Sequence, residues 1–330
     1  MLGKLLLLFL SILMFQSCQP NSTSMNVNKG IKKKIRKEIK VLNDQLIKSI
    51  SDKNINGLKV LLSDNLLKKE GFEIEKTINE LNATLQSNKY KILNEYQVKS
   101  SSTGNLNTID SGDSDINDYL LMYQTLNEEM YVSVLMTEGK IIENLIIVVY
   151  GKYNDKWKIN ILKIGDYKIN NKTAPEYYQL AKDCYEKEYL IDAVNYIGIA
   201  KYISRPADKF FQFKKEKNIN EFYDKVMVEV QSKFKLPMTL ENIETKPTLL
   251  RISPEITNDG VYPVVYYLSK IKLKNSKESK AENEQIKKEI GRIFSGIDKD
   301  KKYVVYKVFN EMPNDEGEVD NFVFIDELQD

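Results

Sequence analysis

The spacing of the hydrophobic residues changes within the first half of this chain of 330 residues. From residue 31 to residue 86 apolar side chains recur every three or four positions, which is typical of amphipathic helices; from residue 90 they alternate, which is typical of half-buried strands. A block of helices followed by a block of strands predicts an α+β fold with an antiparallel sheet. The first helical stripe consists of Ile31, Ile35, Ile39, Leu42, Leu46 and Ile50.

Three helices and five strands are predicted in this first region. The second helix covers Asn56–Lys69 and contains the polar run Ser63-Asp64-Asn65, which is expected to interrupt it, and the third covers Glu73–Gln86. The last two strands are joined by a turn with Asn154-Asp155 at its tip. The predicted strands are Tyr90–Lys99, Tyr119–Leu126, Met130–Thr137, Glu143–Tyr153 and Lys156–Ile169.

In the order of these elements, residues 31–170 resemble the nuclear-transport-factor-2-like (NTF2-like) family. The run VYGKYNDKWKI at residues 149–159 is typical of that family's last hairpin. The resemblance implies a curved sheet wrapped around helices and a conical pocket, which binds a ligand or a partner in many members. Enzymes of the family place Asp, His or Tyr in that pocket, and this chain has no His.

The middle region, residues 171–206, has the pattern of a helical hairpin. Thr173 and Glu176 form a capping box, and a break at Lys187-Glu188 separates the two helices. The hairpin resembles one tetratricopeptide-type (TPR-like) unit, whose matching positions are Tyr177, Leu180, Ala181, Ala193, Ile197 and Ala200. Because about three such repeats are needed to form a peptide groove, the hairpin is interpreted as a packing adaptor, with partner binding as the alternative.

The C-terminal half is predicted to contain a charged linker at 207–219 and an α+β domain of order αββαββ at 220–330. That order predicts a four-stranded sheet with helices on one face. The tyrosines of these strands are interpreted as sheet residues, with stacking on a sugar or base as the alternative. The predicted elements are Glu221–Phe234, Thr248–Ile256, Val261–Leu273, Lys280–Phe294, Lys302–Phe309 and Val319–Ile325. The tyrosines are Tyr262, Tyr266, Tyr267, Tyr303 and Tyr306.

The N-terminus has the features of a bacterial export signal. Lys4 precedes an apolar run that is too short to span a bilayer, and Gln16-Ser17 precedes Cys18. Residues 1–17 resemble the lipoprotein signal, which is cleaved before a cysteine that is then acylated, so the resemblance implies lipidation at Cys18. The alternatives are an ordinary secretory signal cut before Asn26 and a retained anchor. Residues 18–30 are predicted to be a flexible tether.

Composition excludes several classes of function. The chain has no His, two Cys and a formal net charge of +2. Catalytic triads and His-based zinc sites are therefore excluded, two cysteines cannot build a zinc–thiolate cage, and the small net charge argues against nucleic acid as a partner. No GxxxxGK[ST], GxGxxG or GxSxG motif occurs. We predict no catalytic residue, no cofactor and no metal site.

Two charged segments have alternative interpretations. The basic face of the first helix, with Lys32, Lys33, Lys34, Arg36, Lys37 and Lys40, is a solvated face or an attraction site for anionic lipid headgroups. The acidic stretch at 108–118 is a solvated hairpin loop or, less consistently, a calcium loop. Asp113, Asp115 and Asn117 alternate as calcium ligands do, but Asp118 stands where that loop needs Gly.

These observations predict a non-catalytic cell-envelope lipoprotein of α+β multidomain architecture. It is expected to be held on the outer membrane, facing the periplasm, and to bind a protein partner or a small ligand. One alternative is a structural or assembly component of an envelope complex. The other is a His-independent enzyme with carboxylates in the NTF2-like pocket, which a buried Asp or Glu beside a Tyr would favour.

Overall fold

The computed structural model describes residues 23–69, 72–85, 87–112, 115–273, 276–313 and 319–328. Within these ranges the chain has a mixed α+β architecture with three sheets, which confirms the α+β class. Three groups of buried apolar side chains form the cores. Cys18 and residues 1–17 lie outside the described residues.

Four helices precede most of the strands, close to where the apolar period predicts them. Ser63 caps a short helix by accepting a hydrogen bond from the Leu66 N–H (3.2 Å), so the expected interruption of the second helix is confirmed. The backbone N–H of Ser63 also donates to the Ile159 carbonyl (2.9 Å), which holds this helix against a strand. The helices are α1 (Lys33–Ser51), α2 (Ile55–Leu61), α3 (Asp64–Leu67) and α4 (Ile74–Thr84).

A five-stranded antiparallel sheet is covered on both of its faces. Its order is β1-β2-β5-β6-β7. In β5, Tyr131 and Leu135 pack toward the helices α1 to α4, whereas Val132 and Val134 pack toward the other side. Burial on both faces explains why the central strands β5 and β6 are apolar almost without interruption, whereas the edge strand β1 is exposed along its length. The strands are β1 (Thr23–Val27), β2 (Tyr90–Ser100), β5 (Glu129–Thr137), β6 (Ile142–Tyr153) and β7 (Lys156–Ile169).

The tether prediction for residues 18–30 is wrong over its described part. Residues 23–27 form β1, which pairs antiparallel with β2, and residues 28–30 form a turn of 3₁₀-helix. Asn28 anchors this turn, because its side-chain oxygen accepts from the Glu95 N–H (2.8 Å) and its amide donates to Asn94 (2.9 Å). Pairing with a sheet edge uses backbone groups, so polar side chains gave no sign of it.

A small sheet and a helical hairpin cover the second face of the five-stranded sheet. The hairpin consists of α5 (Ala174–Glu186) and α6 (Leu190–Tyr202), and its predicted capping box is present. Ala181, Ala193 and Ala200 are fully buried in the same core as Tyr177 and Ile197. The small sheet has the order β3-β4-β8, with β3 (Leu106–Asp110), β4 (Tyr119–Gln124) and β8 (Phe211–Phe213).

The charged segment at 207–219 is not an exposed linker. Phe211 and Phe213 are fully buried, and β8 pairs antiparallel with β4 of the first region. The aromatic rings of Tyr119 and Tyr167 surround Phe211, with centroids 4.8 and 6.0 Å away. The burial of these phenylalanines outweighs the local preference of the neighbouring lysines for water. The segment predicted to be a linker is therefore part of the core.

The C-terminal sheet has the order β13-β12-β11-β10-β9, and the helix α8 (Ser276–Ile293) joins the parallel pair β11 and β12. The helix α7 (Glu216–Lys233) does not cover this sheet as predicted. Its Val226 belongs to the core of the hairpin, and its Phe222 packs against Tyr178 and Tyr185. The strands are β9 (Met238–Thr239), β10 (Thr248–Ile256), β11 (Val261–Leu268), β12 (Tyr303–Phe309) and β13 (Asn321–Glu327).

The five C-terminal tyrosines lie on both faces of this sheet, so they form no single stacking ladder. Tyr267 and Tyr306 are buried in the core with α8. On the opposite face Tyr266 is half-buried, with the guanidinium of Arg251 4.3 Å from its ring centroid. Tyr262 makes an edge contact with Tyr303 at 5.0 Å.

A buried ion pair joins the helical hairpin to the C-terminal region. Lys301 Nζ donates to Asp192 Oδ2 and to the Gly296 carbonyl, both at 2.7 Å, and both charged side chains are at least nine-tenths buried. Gly296 has a φ of +79°, and a Cβ there would lie 2.1 Å from the ring of Tyr189. Only glycine lets the backbone approach the hairpin so closely. The hairpin therefore packs between two cores.

Candidate functional site

A cleft of about 740 Å³ lies beside the β7 edge of the five-stranded sheet. It is bounded by α3 with the residues that follow it, by the strands β3 and β4, by β7 and by the turn that precedes β8. This volume is within the range of small-molecule pockets, about 300–1,000 Å³. The cleft is thus large enough for a ligand of moderate size.

Two tertiary contacts assemble the walls of the cleft. The Ser63–Ile159 backbone hydrogen bond places α3 against β7, and the pairing of Leu121 with Phe211 brings Phe210 to the opposite wall. The walls themselves are mainly apolar. Their apolar residues are Leu66, Leu106, Met122, Tyr123, Leu126, Ile161 and Phe210. Leu106 is 86% exposed, so an apolar side chain is left uncovered at the margin of the cleft.

Amide side chains supply the polar groups. The buried amide of Asn160 is held on both sides: its oxygen accepts from Tyr153 OH (2.8 Å) and its nitrogen donates to Asn127 Oδ1 (2.7 Å). Gln124 donates to the Gly104 carbonyl at 3.1 Å. Such bonds orient polar groups before a ligand arrives, which reduces the entropy lost on binding.

Gly151 makes room for the amide pair beside the cleft. A Cβ at this position of β6 would lie 1.9 Å from Asn127 Oδ1 and 2.4 Å from Asn160 Nδ2. Asn127, Gly151 and Asn160 are not among the site residues predicted from the sequence. The available signal was a glycine in the interior of an otherwise apolar strand, which commonly marks the close approach of another group.

The cleft has a positive electrostatic character. Lys69 and Lys209 line it, and no Asp or Glu is among its lining residues within the described ranges. Neither lysine has an ion-pair partner in those ranges, whereas the neighbouring Asp208 is paired with Lys163 at 2.7 Å. Burial raises the pKa of Tyr123 to about 12, so its hydroxyl is protonated and able to donate a hydrogen bond. Mainly apolar walls with unpaired cations favour an amphipathic anion.

A buried carboxylate beside a tyrosine occurs elsewhere, between α1 and the sheet. Glu95 is buried; its Oε2 accepts from Arg36 (2.7 Å) and its Oε1 from Tyr131 OH (2.6 Å). The hydrogen bond to Glu95 raises the pKa of Arg36, so the guanidinium stays charged. Tyr150 and Trp157, both buried, also occupy this space. Both oxygens of Glu95 are thus engaged within the protein.

The acidic stretch has structural partners. Thr108 to Asp110 belong to β3, and Asp113 lies outside the described residues. Lys214 binds Asp110 at 2.8 Å and Asp118 at 2.6 Å. Hydrogen bonds from Lys214 and the Gly112 N–H lower the pKa of Asp110. Across the described part of the chain, His, Cys, Asp and Glu form no group of three that could hold a metal ion.

The second cysteine, Cys184, is a half-buried free thiol on α5. Burial raises its pKa to about 11, so at neutral pH it is a thiol and a poor nucleophile.

In the described ranges no helix is long and apolar enough to cross a bilayer. The chain matches no known family model, and no curated protein or solved structure is significantly similar to it.

Proposed function

We propose that this chain is a non-catalytic envelope lipoprotein that binds a small amphipathic anion in the cleft beside β7. The observation that carries the proposal is the combination of apolar walls with Lys69 and Lys209, without a lining carboxylate within the described ranges. An apolar body would bury the walls, at about 25 cal/mol per Å² of apolar surface removed from water. A carboxylate, sulfonate or phosphate group would pair with the lysines.

The proposal includes the fold assignments and the location. Residues 31–170 are proposed to be NTF2-like, which the helices packed on one face of a five-stranded sheet support, and residues 171–206 to be TPR-like. The cleft lies at the β7 edge, outside the conical pocket that the resemblance implies. The lipid on Cys18 would hold the protein on the outer membrane, facing the periplasm. The buried Glu95 beside Tyr131 is the feature that the enzyme alternative requires, but both of its oxygens are held by Arg36 and Tyr131, which supports a non-catalytic role.

Blocking the cleft is expected to abolish ligand binding. The probes are 8-anilinonaphthalene-1-sulfonate and its uncharged relative N-phenyl-1-naphthylamine, titrated by fluorescence. We expect the sulfonate to bind more tightly, and Met122→Trp, which places a bulky ring inside the cleft, to weaken its affinity at least about 10-fold, or about 1.4 kcal/mol.

The matched control carries the same substitution at a distant exposed methionine. Met312 is 61% exposed and does not line the cleft, so Met312→Trp is expected to bind the sulfonate as the wild type does. Equal affinities in the two variants would show that the dye binds elsewhere, and the proposed site would be wrong. Preference for the uncharged dye would contradict the anionic ligand class alone.

The anchor is tested by phase partition in Triton X-114. We expect the wild type in the detergent phase and Cys18→Ala in the aqueous phase, because each acyl methylene buried contributes about 0.8 kcal/mol. Cys184→Ala, which changes the other cysteine, is expected to stay in the detergent phase. If the wild type itself partitions into water, the proposed lipid anchor is wrong.

A role in assembly is the second candidate function, and the open face of the C-terminal sheet favours it. Val323 and Ile325 on the edge strand β13 are 42% and 61% exposed. An uncovered edge strand is a template for pairing with another chain. If this edge is an interface, Ile325→Asp should abolish the association of the chain with its complex and leave dye binding in the cleft unchanged.

A further inference from the structure

Five exposed lysines surround the start of α1. We call them the basic N-terminal face: Lys29, Lys32, Lys33, Lys34 and Lys37. Over the part of the chain that the structure describes, none of them has an ion-pair partner. Two neighbouring cations do, since Arg36 pairs with Glu95 and Lys40 with Asp44, each at 2.7 Å.

The position of these charges is unfavourable for the isolated protein. The N-terminus of a helix carries a partial positive charge and prefers acidic residues. The first turn of the 19-residue helix α1 has no acid, and Lys32 at the N-cap provides no side-chain cap. The first backbone N–H groups of a helix are without intrahelical acceptors, so they remain available to anions. Lysines and N–H groups together present a cationic surface whose lysines form no ion pair in the described part of the chain.

The chain between Cys18 and this face is short, but long enough for the face to reach the membrane that holds the proposed lipid. The strand β1 begins at Thr23, five residues after Cys18, so the chain between them reaches about 18 Å at most. The strand has five residues, and Lys29 follows it in the 3₁₀ turn. The closeness of this face to the membrane rests on the proposed anchor, whereas its positive charge does not.

We propose that the basic N-terminal face docks on the anionic headgroups of the membrane that holds the protein. The headgroup phosphates pair with the five lysines and with the free N–H groups of α1. Electrostatic attraction at a membrane surface extends only about one Debye length, roughly 8 Å at physiological salt, so a short anchored segment is needed to keep the face within range. Docking therefore fixes one orientation of the protein on the membrane.

The test uses the full chain, extracted in detergent and reconstituted on vesicles. One set contains phosphatidylcholine alone and the other also contains phosphatidylglycerol. Lysines are acetylated by an amine-reactive reagent and quantified by peptide mass spectrometry. We expect the five lysines to react at least about threefold more slowly on the anionic vesicles than on the neutral ones. High salt should remove the difference. Lys215 and Lys235, exposed and remote in sequence, are the internal controls.

A charge variant makes the test specific to the face. Lys33→Gln, Lys34→Gln and Lys37→Gln together should restore the reactivity of Lys29 and Lys32 on anionic vesicles. The matched control changes Lys215, Lys235 and Lys270 to Gln, and it should leave Lys29 and Lys32 protected on anionic vesicles. Equal reactivity on both vesicle types would overturn the proposal, and so would equal protection by free inorganic phosphate, which would indicate a phosphate site instead of a membrane surface. Neither result bears on dye binding in the cleft.

Discussion

Phe211→Ala is expected to lower the free energy of unfolding by about 3–5 kcal/mol. The ring of Phe211 is fully buried in the core shared by the five-stranded sheet, the small sheet and the hairpin. Its centroid lies 4.9 Å from that of Phe213 and 4.8 Å from that of Tyr119. Removing it leaves a cavity among rigid aromatic rings, which cannot collapse to fill it. Urea denaturation followed by circular dichroism measures the loss.

Gln212→Ala is the matched control in the same strand. Gln212 is half-buried and points to the other face of β8, so its truncation removes little buried apolar surface. We expect a loss within about 0.5 kcal/mol. Similar small losses for both variants would mean that residues 207–219 are a linker after all, and that β8 does not belong to the core.

Lys301→Met is expected to cost about 3–5 kcal/mol, because it leaves the Asp192 carboxylate buried without its partner. Burial already raises the pKa of Asp192, and Lys301 opposes this shift. Without Lys301 the pKa rises further, so the native state takes up a proton more readily than the unfolded state does. The destabilisation should therefore shrink as the pH falls from neutral into the acidic range. Thermal unfolding at several pH values measures it.

Two comparison variants separate the buried pair from ordinary surface charge. Lys187 forms an exposed ion pair with Asp300 at 2.7 Å, and Lys187→Met should change the stability little at any pH. Adding Asp192→Asn to Lys301→Met removes the unpaired charge and should recover a large part of the loss. A pH-independent loss that Asp192→Asn does not reduce would contradict a buried ion pair at this joint.

Local patterns predicted the elements whose signals lie within a few residues. The stripe from Ile31 to Ile50, the interruption at Ser63 and the capping box at Thr173 depend on helix periodicity and capping. The predicted strand Met130–Thr137 likewise lies close to the observed bounds of β5. These are effects of the backbone and its nearest neighbours, so one sequence is enough to show them.

Elements decided by distant contacts were missed or misassigned. The strand β3 is polar and lies at a sheet edge, so it has no apolar alternation, and its pairing with β4 alone defines it. The helix α7 has an apolar stripe that either core could accommodate, and it packs on the hairpin through Val226. The cleft could not be predicted because its walls come from residues 63–69, 106–108, 122–126, 160–161 and 209–210. Only the fold brings these segments together.

Hydrogen–deuterium exchange of the full chain, with and without 8-anilinonaphthalene-1-sulfonate, tests most directly whether the cleft is the binding site. We expect slower exchange in the backbone around the cleft, at residues 63–69, 106–108, 122–126 and 208–210, in the wild type and in Met312→Trp. The effect should be absent in Met122→Trp. Slower exchange confined to the C-terminal sheet, or none at the cleft under saturating dye, would contradict the proposed binding site.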